Sequence, residues 1–231
     1  MKVLCTICAR GGSKGLKNKN IKNINGNPLI YYTIKSALKA KIFTNIVVST
    51  DSLKIQKIAK RYNVSCWYLR KKKLSNNKVS KLPVIKDIFF RSEKKFNITY
   101  DYICDLDVTS PLRTKQDIIS SFKKIKRKGV DNLVSVCHSK KNPFFNMIIK
   151  KKRGFKIIID NAIYKRRQDA PKCYDVNASI YFWKRLALIK NKKLIGSNTN
   201  IHIMPQKRSI DIDNINDFNY VRYLIEKNGK I

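Results

Sequence analysis

The sequence predicts an α/β protein: a Rossmann-like, three-layer αβα sandwich on a mainly parallel sheet. Three observations predict it. Short runs rich in apolar and β-branched residues recur at 3–9, 45–49, 102–106 and 133–137, and they read as buried parallel strands. The segments between them carry apolar residues three and four apart, the spacing of a helix face. The chain of 231 residues has no internal repeat or low-complexity linker, so it suits one domain, 1–231, large enough to bury a core.

Taken in order, the strand at 3–9 is followed by a helix whose buried face carries Ile30, Ile34, Ala37 and Leu38. After the strand at 45–49, Ile55, Ile58, Ala59 and Tyr62 share a second helix face, and Leu82, Ile85, Ile88 and Phe89 a third. The strand at 102–106 leads to Ile118, Phe122 and Ile125 on a fourth, which precedes the strand at 133–137. This is βαβ packing, and right-handed crossovers follow from it. The pattern breaks near Ser139, where Lys140-Lys141-Asn142-Pro143 opens a basic stretch. Residues 155–159 then read as a hairpin strand after Arg153-Gly154, so 139–174 is an inserted arm. The chain returns with an apolar strand at 179–183 and closes with a helix burying Phe218, Val221 and Leu224.

Composition narrows the function classes. An apolar fraction of 43% and an aromatic fraction of 10% are those of a globular protein. The charge of +36, from 51 Lys and Arg against 15 Asp and Glu, raises the question of a nucleic-acid partner. The basic residues are spread over the chain, in runs such as Lys71-Lys72-Lys73 and those at 123–128, 150–153 and 190–193. No nucleic-acid-reading motif accompanies them. A solvated surface shaped by composition is the plainer account, and its field also draws in anionic ligands. No apolar stretch approaches the ~18 residues of a membrane span. The N-terminus runs straight into an apolar strand without the pattern of a secretory leader, so a cytoplasmic protein is expected. Cys5 and Cys8 form a CxxC inside that strand, with no second pair or His cluster at zinc spacing, and read as core thiols.

Four constellations carry chemistry. The first is Ala9-Arg10-Gly11-Gly12-Ser13-Lys14-Gly15, directly after the first strand, followed by Lys17, Lys19 and Asn20. Glycines let backbone N–H groups approach an anion, and the cations neutralise phosphate charge. A glycine turn alone is also an ordinary tight loop; Arg10, Lys14 and Lys19 make it read as a triphosphate cradle, though of neither Walker nor GxGxxG spacing. The second is Thr109-Ser110-Pro111-Leu112-Arg113, just beyond the C-terminal end of the strand at 102–106, where open α/β sheets bind ligands. It reads equally as a proline turn capping the next helix. The third is Ile210-Asp211-Ile212-Asp213: in an extended segment the two carboxylates point the same way and suit a magnesium ion shared with phosphate oxygens. Asp213 also reads as a cap of the closing helix. The fourth is Arg166-Arg167-Gln168-Asp169-Ala170-Pro171 with Asn177 and Tyr181, suited to a sugar carboxylate, hydroxyls and N-acyl groups, or else a solvated basic turn.

In fixed order, ARGGSKG, Val48-Ser49-Thr50-Asp51, TSPLR, RQD with Asn177 and Tyr181, and Asp211 to Phe218 resemble the acylneuraminate cytidylyltransferases nearly end to end. Those enzymes make CMP-sialic acids. Cys5 to Arg10, Lys81-Leu82-Pro83-Val84 and Ala170 to Tyr174 look most like the bacterial members that activate legionaminic acid. Two departures from the sialate pattern stand out: Asp107-Val108 replaces the usual Gln-Pro, and Asn177-Ala178 the usual Asn-Gly. In the family that Gln contacts the sugar. An ionised Asp107 accepts hydrogen bonds and donates none, so it prefers a sugar offering an extra N–H or O–H there.

The resemblance implies a nucleotidyltransferase fold, CTP and a nine-carbon acidic sugar as substrates, Mg²⁺ on Asp211 and Asp213, and a homodimer joined through the arm. It implies that Ala9, Arg10, Gly11, Gly12, Ser13, Lys14, Lys19 and Asn20 hold the nucleotide, with Arg70 and Ser80. Asp107, Thr109, Ser110, Arg113, Arg167, Gln168, Asn177 and Tyr181 would read the sugar. Lys19, Arg10 and Asp213 would carry the chemistry, Asp213 as base. The rivals are a cytidylyltransferase for a pseudaminic or eight-carbon acid, and a basic nucleic-acid-binding module, which leaves Asp211 and Asp213 unexplained.

Overall fold

The computed structural model describes residues 1–13, 15–160, 164, 166 and 168–227. Strand β1 (Val3–Cys8) leads through the glycine-rich turn and a two-residue ribbon, β2 (Asn23–Ile24) with β3 (Asn27–Pro28), into α1 (Leu29–Ala40). Then follow β4 (Asn45–Ser49), α2 (Leu53–Arg61), α3 (Lys81–Phe96), β5 (Tyr102–Leu106), α4 (Lys115–Ile125) and β6 (Asn132–His138). The arm carries β7 (Ile148–Lys150) and β8 (Phe155–Ile157). The chain ends with β9 (Tyr174–Lys184), α5 (Arg185–Lys190), β10 (Thr199–Ile203) and α6 (Ile215–Lys227).

The central sheet runs β10-β6-β9-β5-β1-β4. All its pairings are parallel except those of β9, which enters antiparallel between β5 and β6. Alternation along the strands feeds two cores, because successive side chains leave opposite faces. Val3, Cys5 and Ile7 of β1, Leu106 of β5 and Phe182 of β9 join Ile34 of α1, Phe122 of α4 and Phe218 of α6 on one face. Leu4, Ile103, Tyr181 and Trp183 join Ile85 and Phe89 of α3 and Leu188 of α5 on the other. That is the three-layer αβα arrangement expected.

Two helix faces differ from the reading of their spacing. In α1 Leu38 is exposed while Ile30, Ile34 and Ala37 are buried, and in α6 Ile225 rather than Leu224 completes the buried stripe. The returning strand is longer than its apolar stretch. It starts at Tyr174, with a bulge against β6 between Val134 and Val136, and close to it Ala178 adopts φ 53°, a left-handed backbone that suits glycine. The hairpin of β7 and β8 pairs only with itself among the described residues and leaves Ile148 and Phe155 mostly exposed. Both CxxC cysteines are free; Cys5 is buried in the core, and Cys8 is half-buried at the end of β1. Among the described residues no helix is long and apolar enough to cross a membrane.

Candidate active site

At the carboxyl end of the parallel strands lies an open cleft of about 520 Å³. The turn after β1 forms one wall, the N-terminus of α3 and the loop before it another, and the ends of β5 and the 211–213 segment the rest. Arg10, Ser13, Lys19, Asn20, Arg70, Ser80, Asp107, Thr109 and Asp213, all singled out by sequence, line it.

The glycine turn is held from behind. Ala9 is fully buried and gives its amide to Ser49 O (2.9 Å), while the Gly11 amide goes to Asp51 Oδ1 (2.8 Å). Ala9 and Gly11 therefore shape the turn rather than offering their N–H groups to a ligand. Gly12 has open space around it. Asn20 donates to Arg10 O (2.9 Å), and the Arg10 guanidinium crosses the cleft to Asn77 Oδ1 (2.6 Å). Lys14 lies outside the described residues.

Gly15 brings the turn against the late aspartates: a β-carbon there would stand 2.3 Å from Asp213 O, so only glycine allows this approach. Across the same junction Lys19 Nζ donates to Ile212 O and stands 3.5 Å from Asp213 Oδ1. The Ile212 amide donates in turn to Thr109 O (2.9 Å), so the turn, the TSPLR loop and the aspartate segment meet at one residue. Asp213 is open to solvent, whereas Asp211 has its Oδ1 buried without a hydrogen-bond partner, and burial pushes its carboxyl up from the ordinary value. Among the described residues no group of three or more His, Cys, Asp or Glu gathers as a complete metal cage.

The floor holds a lysine that the sequence placed only in the Lys81-Leu82-Pro83-Val84 run, without a role in the site. Lys81, first residue of α3, donates to Asp107 Oδ2 (2.7 Å) and lies 3.1 Å from Asp105 Oδ2, near enough to pair charges though not aligned as a hydrogen bond. Its ammonium stands 4.5 Å over the Tyr181 ring. Burial alone would lower the Lys81 pKa, but Asp107 and Asp105 outweigh it and hold it above the usual lysine value. Burial likewise opposes ionisation of Asp107, and Lys81 overcomes it and holds that carboxyl below its usual value. Asp105 is fully buried and accepts from Thr6 Oγ1 (2.7 Å). Nothing in the Lys81-Leu82-Pro83-Val84 run assigns Lys81 to the cleft; Asp105 of β5 and Asp107, one residue past its end, do so.

Several expected sugar contacts lie elsewhere. Arg113 is buried and spends its donors on Ser36, Thr33, Ser179 and Asp107 O, clamping α1, β5 and β9 together. Ser110 is fully buried, and Asn177, also buried, bonds Ser135 (2.6 Å) and Ser209 (2.9 Å). Tyr181 is buried beneath Lys81 and stacks on Trp183. These four support the cleft from below: β9 carries Asn177 and Tyr181 into the packed layer, and the TSPLR loop buries Ser110 and Arg113. Gln168 opens onto a separate hollow of about 260 Å³ beside His138 and Lys141, and Arg166 pairs with Asp169 (2.9 Å). Arg167 lies outside the described residues.

Residues 4–228 match the model of a family described as cytidylyltransferase. The chain is 43% identical over 227 residues to the post-translational flagellin modification protein B of Campylobacter coli, covering 98% of this chain and 96% of that one. It is 41% identical over 224 residues to the CMP-N,N'-diacetyllegionaminic acid synthase of Campylobacter jejuni, covering 96% and 94%. Among solved structures, a CMP:2-keto-3-deoxy-manno-octonic acid synthetase complexed with CTP superposes with TM-score 0.73, over 99% of this chain and 100% of that one, at 15% identity. That likeness shows the fold.

Proposed function

The chain belongs to the cytidylyltransferase family, and from that premise we propose that it transfers CMP from CTP to a nonulosonic acid of the legionaminic or N-acetylneuraminic type, releasing pyrophosphate. The relative at 41% identity is a synthase for a CMP-activated legionaminic acid. The eight-carbon acid enters only through a structural likeness at 15% identity, which speaks for the fold and not for the sugar.

The observation that carries the reading is the junction at Ile212, which Lys19 reaches from the glycine turn and Thr109 from the TSPLR loop, beside the exposed Asp213. Such chemistry depends on positioning and on stabilising charge. Arg10, Ser13 and Lys19, joined by Lys14 from the same turn, hold the phosphates. The first-turn N–H groups of α3, near Ser80, add a positive end to the wall. The anomeric hydroxyl of the sugar attacks the α-phosphorus, a new P–O bond forms, and the bond to the bridging oxygen breaks as pyrophosphate leaves. Asp213, open to water, takes the hydroxyl proton and passes it on. Asp211 and Asp213 fit a Mg²⁺ ion, since the buried, unpartnered Asp211 oxygen and its raised carboxyl pKa are those of a carboxylate short of a cation. A Mg²⁺ ion held there would offset charge on the phosphates. The exposed apolar residues of the β7–β8 hairpin support a homodimer joined through the arm.

The test is pyrophosphate release from each nucleoside triphosphate against legionaminic, sialic, pseudaminic and eight-carbon acids. CTP with the legionaminic or sialic acid is the expected pair, and Lys19→Ala is expected to lower its turnover at least ~100-fold with the fold retained. Near-normal release by that variant, or preference for another nucleotide, overturns the reading.

A further inference from the structure

The Lys81–Asp107 pair stands apart from the other charged groups of the cleft. Arg10, Lys19 and Arg70 provide positive charge for phosphates. Lys81 does not, because Asp105 and Asp107 pair with it, and with the buried Arg113 interacting with both carboxylates the group is neutral as a whole and offers a phosphate or carboxylate no net attraction. Both members are nevertheless anchored and reachable from the cleft: their side chains are 21% and 22% exposed, and both line it.

Their hydrogen-bonding capacity is unequally used. Asp107 Oδ1 accepts from the Thr109 amide (3.3 Å) and hydroxyl (3.2 Å), and Oδ2 accepts from Lys81. A carboxylate offers about four acceptor positions, which leaves one. Lys81 has three N–H donors and gives one to Asp107. A free acceptor thus lies beside a free donor, the two atoms 2.7 Å apart. A hydroxyl satisfies both through a single oxygen, donating to Asp107 and accepting from Lys81. A trans secondary amide does not, since its N–H and C=O point in opposite directions.

We infer that Lys81 and Asp107 are a specificity-determining pair that reads one neutral hydroxyl of a substrate. The inference rests on the cytidylyltransferase reading and deepens it. The hydroxyl belongs either to the acidic sugar or to the ribose of the nucleotide, and both present the same chemistry. Tyr181 sets the height of the ammonium through its ring, and Asp105 keeps it charged.

The test is a cycle of enzyme and substrate changes. Steady-state pyrophosphate release is measured for the parent and for Lys81→Gln with Asp107→Asn, a double variant that keeps the net charge of the group. Each is given the full substrates, a series of singly deoxygenated sugar acids, and 2′- and 3′-deoxy-CTP. In the parent, removal of the recognised hydroxyl is expected to lower kcat/KM by about 10- to 100-fold, the range of a hydrogen bond to a charged group. In the double variant the same removal is expected to cost less than about 3-fold, because the coupling is gone. Which analogue shows the loss identifies the source. Discrimination against every analogue that is unchanged by the double substitution overturns the inference and leaves the family activity standing. A parent that releases no pyrophosphate from CTP with any sugar sinks both. Asp107→Asn alone, which keeps Lys81 paired with Asp105, carries the same expectation should the double variant not fold.

Discussion

Replacing Gly15 by alanine is expected to slow the enzyme about 100-fold without unfolding it. A β-carbon at that position would stand 2.3 Å from the Asp213 carbonyl oxygen, a backbone atom that no rotamer change moves. Real β-carbons keep at least 3.0 Å, so the glycine turn and the aspartate segment must separate by about 0.7 Å. Lys19 spans this junction to Ile212 O, so the separation also displaces the ammonium from Asp213. A misplacement of about 1 Å costs on the order of 100-fold in rate, or about 2.7 kcal/mol at 1.36 kcal/mol per tenfold. Gly15 is exposed in a loop and contributes nothing to either core, so the thermal midpoint is expected to change little. The assay is pyrophosphate release from CTP and sugar, beside a melting curve. Gly196→Ala is the control, since its β-carbon would meet nothing within 4 Å and it does not line the cleft, and near-parental turnover is expected. Gly15→Ala turnover within threefold of the parent, or an equal loss in Gly196→Ala, refutes the reasoning.

Three further outcomes are expected. Asp117 accepts from Arg208 (2.7 Å) and from the Thr114 cap of α4 and lies 3.4 Å from His202; burial works to raise its pKa, but these hydrogen bonds hold it well below the ordinary carboxylate value. A depressed folded pKa means that this stability is complete above the unfolded value of about 3.9 and is lost as the pH falls through the folded one. Asp117→Asn should therefore cost about 2 kcal/mol in urea unfolding at neutral pH, and a gap from the parent that does not narrow below pH 4 speaks against the pairing. Ala178→Gly relieves the left-handed backbone at φ 53° and is expected to raise stability by about 0.5–1 kcal/mol; a loss of that size in chemical denaturation counts against strain there. Phe155→Asp, at an exposed position of the arm, is expected to turn a sedimenting dimer into a monomer, and an unchanged sedimentation coefficient removes the arm from the dimer contact.

Much of the fold was legible because strands buried on both faces announce themselves. The runs at 45–49 and 102–106 coincide with β4 and β5 at both ends. The direction of β9 was not legible, since antiparallel entry depends on where the arm releases the chain, and its first half, Tyr174 to Asn177, is too polar to read as a strand. Edge strand β10, Thr199–Ile203, has the same weakness: its one buried residue is His202. In the site, the glycine turn and the late aspartates were legible because phosphate binding needs residue types that few other roles need together. Arg113, Asn177 and Tyr181 show the opposite case. A polar side chain under a cleft and one lining it are written with the same letters, and only packing separates them. Lys81 is legible only as part of the Lys81-Leu82-Pro83-Val84 run and not as a site residue for a related reason, because its meaning comes from Asp105 on β5 and Asp107 just past it.

The length of β9 has a mechanical consequence. Tyr174, where the arm ends, and Tyr181, which bears the Lys81 ammonium on its ring, belong to one strand. The seven residue steps between them would span about 24 Å at ~3.4 Å each if fully extended, and the bulge beside Ala178 shortens that reach. β6 holds the strand at 174–176 and again at 181–183, and β5 holds it at 180–184, so the bulged stretch at 177–179, with the left-handed Ala178, divides it into two separately paired parts. Movement of the arm is therefore taken up at 177–179 before it reaches Tyr181, and the ammonium at the bottom of the cleft keeps its height.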